Sequence, residues 1–228
     1  MKLAVLLVLC AGCLTVNVQA NPCVAGSLAS YISLGAGGCT IGTNVVSSFT
    51  ILSGTTGATE LSPGAVSIQP SGGAANPQLQ FTVSETVQTP PLLETIFDYR
   101  ISGNPYIQSQ IDLSNSSETG QGAVTDIQNI CEDGSFGPDG VSGCPGVSDS
   151  LLTLDGIQNT DSTALSALSF LSVTDDFTLD PGPAGSGGSA AGGIFTDQFT
   201  ASTTVPEPKM TVLLGALGLA LVSIYKRL

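Results

Sequence analysis

The chain has no histidine and no tryptophan, and only five of its 228 residues are lysine or arginine. Without histidine, the Ser-His-Asp and Cys-His nucleophiles and all imidazole metal sites are excluded. The sequence also has no Gly-rich phosphate loop followed by lysine, and no dinucleotide-binding fingerprint after a strand. The commonest hydrolase and nucleotide-binding classes are therefore excluded.

The few basic residues lie almost entirely at the two ends of the chain. Lys2, Lys209, Lys226 and Arg227 occupy the terminal segments, so Arg100 is the one cation between them. That central segment holds all of the 18 acidic residues except one, which gives it a net charge of −16. Such a segment repels nucleic acid and anionic lipid, because binding either requires Lys or Arg. We expect no nucleic-acid partner.

The first 20 residues have the pattern of a secretory signal peptide. Lys2 precedes an apolar stretch over Leu3–Leu14, and small residues stand before the predicted cleavage between Ala20 and Asn21. A lipoprotein signal with Cys13 as the lipidated residue is an alternative. Either interpretation predicts export from the cytoplasm.

Four cysteines remain after the leader, and an even number in an exported chain indicates disulfides. Four cysteines allow three pairings. We predict the two local ones, because each closes a Gly-rich loop: Cys23–Cys39 and Cys131–Cys144. A zinc site is the alternative, but no closely spaced cysteine pair follows the leader.

Short alternating apolar runs, separated by Gly, Pro, Asn and Ser, are typical of half-buried β-strands. We predict strands over residues 65–69, 79–84, 95–102, 106–114, 123–130, 151–156, 167–180 and 193–200. With no long amphipathic helix, this pattern predicts an all-β fold. The expected architecture is an antiparallel β-sandwich or jelly roll over residues 21–200, followed by a linker.

Paired carboxylates are the remaining groups that could support catalysis, as in a glycan hydrolase. The candidate pairs are Glu94 with Asp98 and Asp175 with Asp176. Asp175 and Asp176 are adjacent, so on a strand they would face opposite sides. The simpler interpretation is that these carboxylates keep a lysine-poor surface soluble. We therefore predict no catalytic residues.

One loop has a composition that suits calcium. The segment Cys131–Cys144 places Glu132, Asp133 and Asp139 in a Gly-rich stretch bounded by cysteines. Hard oxygen ligands on a tight loop are what Ca²⁺ prefers, although the spacing matches no EF-hand. A solvated turn explains the loop equally well. We assign no cofactor, and keep these three residues as weak calcium candidates.

The last 24 residues have three parts in a fixed order. Pro206, Glu207 and Pro208 precede an uncharged apolar run over 210–225, and Lys226 and Arg227 follow it. As a helix the run would span about 24 Å, enough for a membrane crossing with snorkelling flanks. The terminal basic pair predicts a cytoplasmic C-terminus, with the acidic segment on the outside.

This tail resembles the PEP-CTERM sorting signal of Gram-negative bacteria. The resemblance covers about a tenth of the chain, and Lys209 departs from it because a small or apolar residue usually follows the motif. It implies recognition by an exosortase, an integral-membrane enzyme, and sorting to the cell surface or extracellular matrix. The family is associated with exopolysaccharide and biofilm, so exopolysaccharide is a further implied partner.

We therefore predict an exported, non-catalytic surface or matrix protein that is held in the membrane by its tail before processing. Two alternatives stay open. One is a carbohydrate- or calcium-binding module of the matrix, and the other is a carboxylate-based glycan hydrolase.

Overall fold

The structure, a computed structural model, describes residues 20–202 of the chain. Within that range it forms strands, one short α-helix and a 3₁₀ turn at Gly35–Gly37. The elements are β1 (Gly26–Ser27), α1 (Leu28–Ile32), β2 (Cys39–Ile41), β3 (Asn44–Leu52), β4 (Thr59–Glu60), β5 (Val66–Gly72), β6 (Pro77–Val83), β7 (Thr86–Val87), β8 (Leu93–Ser114), β9 (Ser117–Thr119), β10 (Ala123–Glu132), β11 (Ser148–Leu154), β12 (Thr160–Asp180), β13 (Ser189–Ala191) and β14 (Ile194–Ala201).

The predicted leader, the Pro-Glu-Pro motif, the apolar run 210–225 and the basic end lie outside the described residues, except for Ala20 and Asn21 at the predicted cleavage point. Between residues 20 and 202, no helix is both long enough and apolar enough to span a membrane.

Eleven strands form one continuous sheet, and β7, β13 and β9 form a second, small sheet. The main path runs β1-β5-β6-β14-β8-β12-β10-β11. Off this path, β3 and β4 pair with β8, and β2 pairs with β3. Every pairing is antiparallel except that of β4 with β8. The predicted all-β, antiparallel fold is therefore confirmed.

The two longest strands, β8 and β12, carry the main sheet from one layer to the other. They pair along most of their length, with irregular register between Ala164 and Phe170. The first half of β8 pairs with β3 and the second half with β14. Gly103, at φ 152°, lies between these halves. Strands that switch layers at such irregularities make the corners of a sandwich.

The core lies between these two layers and is built around aromatic rings. Phe195 of β14 stacks on Phe81 at 4.7 Å between ring centroids and on Phe177 at 4.9 Å. Phe177 belongs to β12, which does not pair with β14 in this region, so this contact joins the two layers. Phe49 and Tyr99 stack at 5.0 Å deeper along the same core.

Both predicted disulfides are present. Cys23–Cys39 joins the N-terminal segment to β2, and Cys131–Cys144 closes a loop after β10. The loop folds back across its own layer, where Gly140 lies against Leu52 and Thr174. Disulfides of this kind are typical of proteins outside the reducing cytoplasm.

Replacing Cys131 and Cys144 by alanine is expected to lower the free energy of unfolding by about 3 kcal/mol. The cross-link spans a sequence separation of 13 residues, and its loss frees that loop in the unfolded chain. Denaturant titration of oxidised protein measures the change, with dithiothreitol-treated wild type as the comparison. A double variant as stable as the wild type would contradict this expectation.

A buried cluster of three aspartates

Three aspartate side chains converge in the interior of the sandwich. Asp126 lies on β10, Asp175 on β12 and Asp197 on β14, and each is 0 % exposed. One oxygen from each carboxyl group lies within 4.8 Å of the other two. We call these three residues the aspartate cluster.

Two members of the cluster come from neighbouring strands of one layer. Gln128 of β10 stands opposite Asp175 of β12 in the antiparallel register, and Asp126 stands opposite Phe177. Since side chains alternate along a strand, Asp126 and Gln128 share one face of β10. That face is the inner one, because both residues are fully buried. The register thus places two carboxyl groups and one amide side by side.

The third carboxylate reaches the cluster from the opposite layer. Asp197 lies between Phe195 and Phe199 on the inward face of β14, and all three are fully buried. The Tyr99 hydroxyl on β8 donates a hydrogen bond to Asp197 Oδ2 at 2.5 Å. Charge-assisted hydrogen bonds of this length are among the strong ones. This bond holds Asp197 in place from across the core.

Gln128 is also held from across the core. The Ser109 hydroxyl on the second half of β8 donates to Gln128 Oε1 at 2.8 Å. Gln128 Nε2 has no hydrogen-bond partner, although the residue is 0 % exposed. Burial raises the pKa of Asp175 and of Asp197, and the nearby Gln128 amide offsets part of each rise. An unsatisfied buried amide therefore points into the cluster.

Most of the carboxylate oxygens lack a hydrogen-bond donor. Both oxygens of Asp126, both of Asp175 and Oδ1 of Asp197 are buried without a partner. Buried polar atoms in folded proteins are almost always hydrogen-bonded, and an unpaired buried charge is costly. Arg100 is the sole lysine or arginine among residues 20–202, and it is exposed. No cation of the described chain neutralises this charge.

The local environment makes ionisation of the cluster unfavourable in the chain alone. Burial raises the pKa of Asp126 and Asp175 well above the ordinary value, and the charge of Asp197 raises both further. Burial also raises the pKa of Asp197 to about 7, against the Tyr99 hydrogen bond, which lowers it. Three carboxyl groups in one dry site must therefore share protons or a bound cation.

The arrangement has the donors for a hard metal ion and lacks the access required for substrate chemistry. Carboxylate, amide and hydroxyl oxygens are the ligands of Ca²⁺ and Mg²⁺. The residues that could hold such an ion are Asp126, Asp175 and Asp197, with Gln128 and Tyr99 beside them. A glycosidase pair must flank a sugar, and three fully buried aspartates cannot.

The structure does not bring the three predicted calcium candidates together. Glu132 is buried at the end of β10, and its carboxylate accepts hydrogen bonds from the Ser166 backbone N–H at 2.7 Å and from the Ser166 hydroxyl. Asp139 is exposed and accepts from the backbone N–H groups of Val141 and Ser142. Its donors lower the pKa of Asp139, as expected for a carboxylate that caps its own turn. Asp133 is exposed and adopts φ 58°.

The four residues of the two candidate catalytic pairs have different surroundings in the structure. Glu94 accepts hydrogen bonds from the backbone N–H and the hydroxyl of Thr55. Burial raises the pKa of Asp98, and the Arg100 charge lowers it. Asp175 and Asp176 face opposite sides of β12, as the adjacent positions predicted. Burial and the Glu94 charge raise the pKa of Asp176 to about 6.

The assignment of Asp175 to a soluble surface is wrong, because this residue is fully buried. The sequence contained a sign of this burial in the alternation of apolar and polar residues along the strands. In β12 the inward positions are Val173, Asp175, Phe177 and Leu179, so an acidic residue stands in an apolar series. Asp197 interrupts the series of Phe195 and Phe199 in the same way. An acidic residue in phase with the apolar face of a strand predicts a buried carboxylate.

Comparisons with known proteins identify no family for this chain. No protein-family model matches it, and no curated protein sequence matches it. A solved structure of TmCBM61 in complex with beta-1,4-galactotriose is similar at a TM-score of 0.22 and 10 % sequence identity. The likeness covers 53 % of this chain and 69 % of that one. At this TM-score it supports no conclusion on fold or ligand.

Proposed function

We propose that this chain is an exported, non-catalytic β-sandwich protein of the cell surface or extracellular matrix. Its C-terminal tail, with Pro206, Glu207 and Pro208, acts as a PEP-CTERM-type sorting signal for an exosortase. The chain is held in the membrane through the run 210–225 until the tail is removed. The mature protein is then a component of an exopolysaccharide-containing matrix.

The observation that carries this proposal is a disulfide-closed sandwich, and the last strand within residues 20–202 ends shortly before the tail in sequence. Two disulfides suit an oxidising compartment outside the cytoplasm. Strand β14 ends at Ala201, four residues before Val205 and the Pro-Glu-Pro motif. Proline lacks a backbone N–H, so the motif favours an extended segment that a membrane peptidase can bind.

The non-catalytic part of the proposal is argued from two locations in the structure. The aspartate cluster is sealed inside the core. A surface cavity of about 520 Å³ lies against α1 and the Cys23–Cys39 disulfide, and no charged residue lines it. Neither location offers an accessible acid with a base or nucleophile beside it.

The arrangement of aromatic residues makes a sugar-stacking function the weaker alternative. Carbohydrate-binding surfaces commonly present exposed aromatic faces, whereas nine of the eleven aromatic side chains between residues 20 and 202 are buried. Phe136 and Phe170 are half-buried, and the Phe170 ring lies 5.8 Å from the Arg100 guanidinium carbon. Exopolysaccharide is therefore proposed as the surroundings of the protein, without an assigned binding residue.

The proposal is tested by the mass of the protein recovered from the native cell's envelope and culture medium. We expect a chain that begins at Asn21 and ends near Pro206–Lys209, enriched outside the cell. Replacing Pro206 and Pro208 by alanine should leave the full-length tail in the membrane fraction. Replacing Pro181 and Pro183, in the loop before β13, is the matched control and should leave processing unchanged.

An uncut chain ending at Leu228 in the membrane fraction would contradict sorting by removal of the tail. A chain recovered in the cytoplasm with its leader intact and its cysteines reduced would contradict export altogether.

A further inference from the structure

We propose that the aspartate cluster is a calcium site, with Asp126, Asp175 and Asp197 as its charged ligands and Gln128 as a neutral one. The ion is buried between the two layers of the sandwich and serves the fold. This inference goes beyond the proposed sorting and does not depend on it, because the binding can be measured whether or not the tail is removed.

The first argument is charge. Three ionised aspartates carry three negative charges into a core where no lysine or arginine of residues 20–202 can reach them. A divalent cation neutralises two of these charges and converts an unfavourable burial into direct coordination. A proton shared between two carboxyl groups satisfies one pair at a time. Three groups converging on one point are the arrangement that a cation requires.

The second argument is that the cluster contains several potential metal-ligand atoms that are not engaged in normal hydrogen bonds. Five carboxylate oxygens of the cluster accept no hydrogen bond of normal geometry, although Asp175 and Asp197 lie close enough to share a proton. Gln128, outside the acidic set, is also fully buried with an unpaired amide nitrogen on the cluster side. A half-turn of this amide directs Oε1 towards the ion and leaves Nε2 to donate to Ser109. The Gln128 side chain can therefore supply a neutral oxygen ligand to the ion.

The third argument is size. Ca²⁺ is bound at about 2.3–2.6 Å, so ligand oxygens on opposite sides of the ion stand about 5 Å apart. The three aspartate oxygens lie within 4.8 Å of one another, which fits that span. Mg²⁺ requires about 2.0–2.1 Å and keeps most of its water, so a site made mainly of protein oxygens suits Ca²⁺ better. Zinc prefers histidine nitrogen and cysteine sulfur, and neither is among the residues of the aspartate cluster.

The strands that carry the ligands indicate the structural role of the ion. Asp126 and Asp175 belong to one layer, whereas Asp197 belongs to β14, the last strand, inserted between β6 and β8 of the other. The ion therefore joins the two layers and fixes the strand that leads into the tail. Because all its ligands are buried, it enters as β14 closes, and its release requires that strand to open.

Terbium luminescence provides a direct test, because this protein has no tryptophan and Tyr99 lies beside the proposed ion. The full chain is purified in mild detergent, unfolded with a chelator and refolded with Tb³⁺ or Ca²⁺. We expect one bound ion per chain, tyrosine-sensitised Tb³⁺ emission, and loss of that emission when Ca²⁺ is added. Tyr99→Phe should remove most of the emission, because Tyr99 is the sensitiser, and should also weaken binding, because Asp197 loses its hydrogen-bond donor.

The ligand variants separate this site from the rest of the acidic surface. Asp126→Asn and Asp175→Asn should each lower the Ca²⁺ affinity at least a hundredfold. Asp139→Asn, the same change at an exposed turn, should leave the affinity unchanged. If Asp175→Asn fails to fold, the tyrosine-sensitised emission of the wild type decides, since Tyr99 donates to the ligand Asp197 whereas Asp139 lies in an exposed turn.

Several results would overturn the proposal. One is a folded wild-type chain that contains no metal and gains no thermal stability from millimolar Ca²⁺. Another is binding that survives in Asp175→Asn and is lost in Asp139→Asn, which would place the ion in the surface loop. Full Tb³⁺ emission in Tyr99→Phe would also place it elsewhere.

Discussion

Protein stripped of divalent cations is expected to become less stable as the pH rises from about 4 to above 7, the reverse of ordinary acid denaturation. Burial raises the folded-state pKa values of Asp126, Asp175 and Asp197, and the charge of Asp197 raises those of Asp126 and Asp175 further. The folded chain therefore binds protons more tightly than the unfolded chain. The stabilisation from these protons is complete below the unfolded pKa and is lost as the pH rises through the folded one.

The size of the expected loss of stability follows from the pKa shift of one residue, Asp197. Asp197 titrates at about 7 in the folded chain, against 3.8 for an unperturbed aspartate. At 1.36 kcal/mol per unit of pKa, that difference corresponds to about 4 kcal/mol lost between the two values. Asp176, with a pKa raised to about 6, changes stability in the same direction. Denaturant midpoints measured in chelator from pH 4 to pH 8 would show the decline.

Two comparisons make this prediction specific to the cluster. Asp197→Asn removes one titrating group and should flatten the pH dependence, whereas Asp139→Asn should not, because the pKa of Asp139 is lowered instead. Saturating Ca²⁺ should reverse the slope, since protons then compete with the ion for the same oxygens. The assigned pKa shifts would be contradicted if the wild-type protein, measured in chelator, kept a constant stability or became more stable from pH 4 to pH 8.

The strands were predictable from the sequence because alternation and turn residues are local signals. Strands β5, β6, β10, β11 and β14 lie within a few residues of their predicted positions. The two predicted segments 95–102 and 106–114 are instead one strand, β8. Gly103 and Pro105 indicated a break, but the structure uses them to turn the strand from one layer into the other. A local signal cannot distinguish a strand end from a corner, because both need the same residues.

The aspartate cluster was harder to predict because it depends on three strands far apart in sequence. The inward phase of Asp175 and Asp197 is visible locally, but the contact between them requires the register of β10 with β12 and the closing of the two layers. Composition instead pointed to the acidic loop Cys131–Cys144, where the carboxylates are close in sequence and satisfied by their own turn. The carboxylates that are close in sequence therefore do not form the cluster, and those that form it are far apart in sequence.

Phe195→Ala is expected to destabilise the protein by about 3–5 kcal/mol, the usual cost of removing a buried phenylalanine ring. The Phe195 ring stacks on Phe81 of its own layer and on Phe177 of the other, so its loss leaves a cavity at the contact between layers. Phe170→Ala is the matched control. That ring is half-buried beneath Arg100, and its removal should cost about 1 kcal/mol.

The same substitution should also weaken calcium binding, although Phe195 offers no ligand atom. Phe195 and Asp197 are two residues apart on the same inward face of β14, so the packing of one determines the position of the other. If the ion enters as β14 closes, a weaker closed state binds it less tightly by thermodynamic linkage. Calcium titration of Phe195→Ala and Phe170→Ala measures this coupling. Equal calcium affinity in the two variants would mean that the site forms independently of how β14 packs.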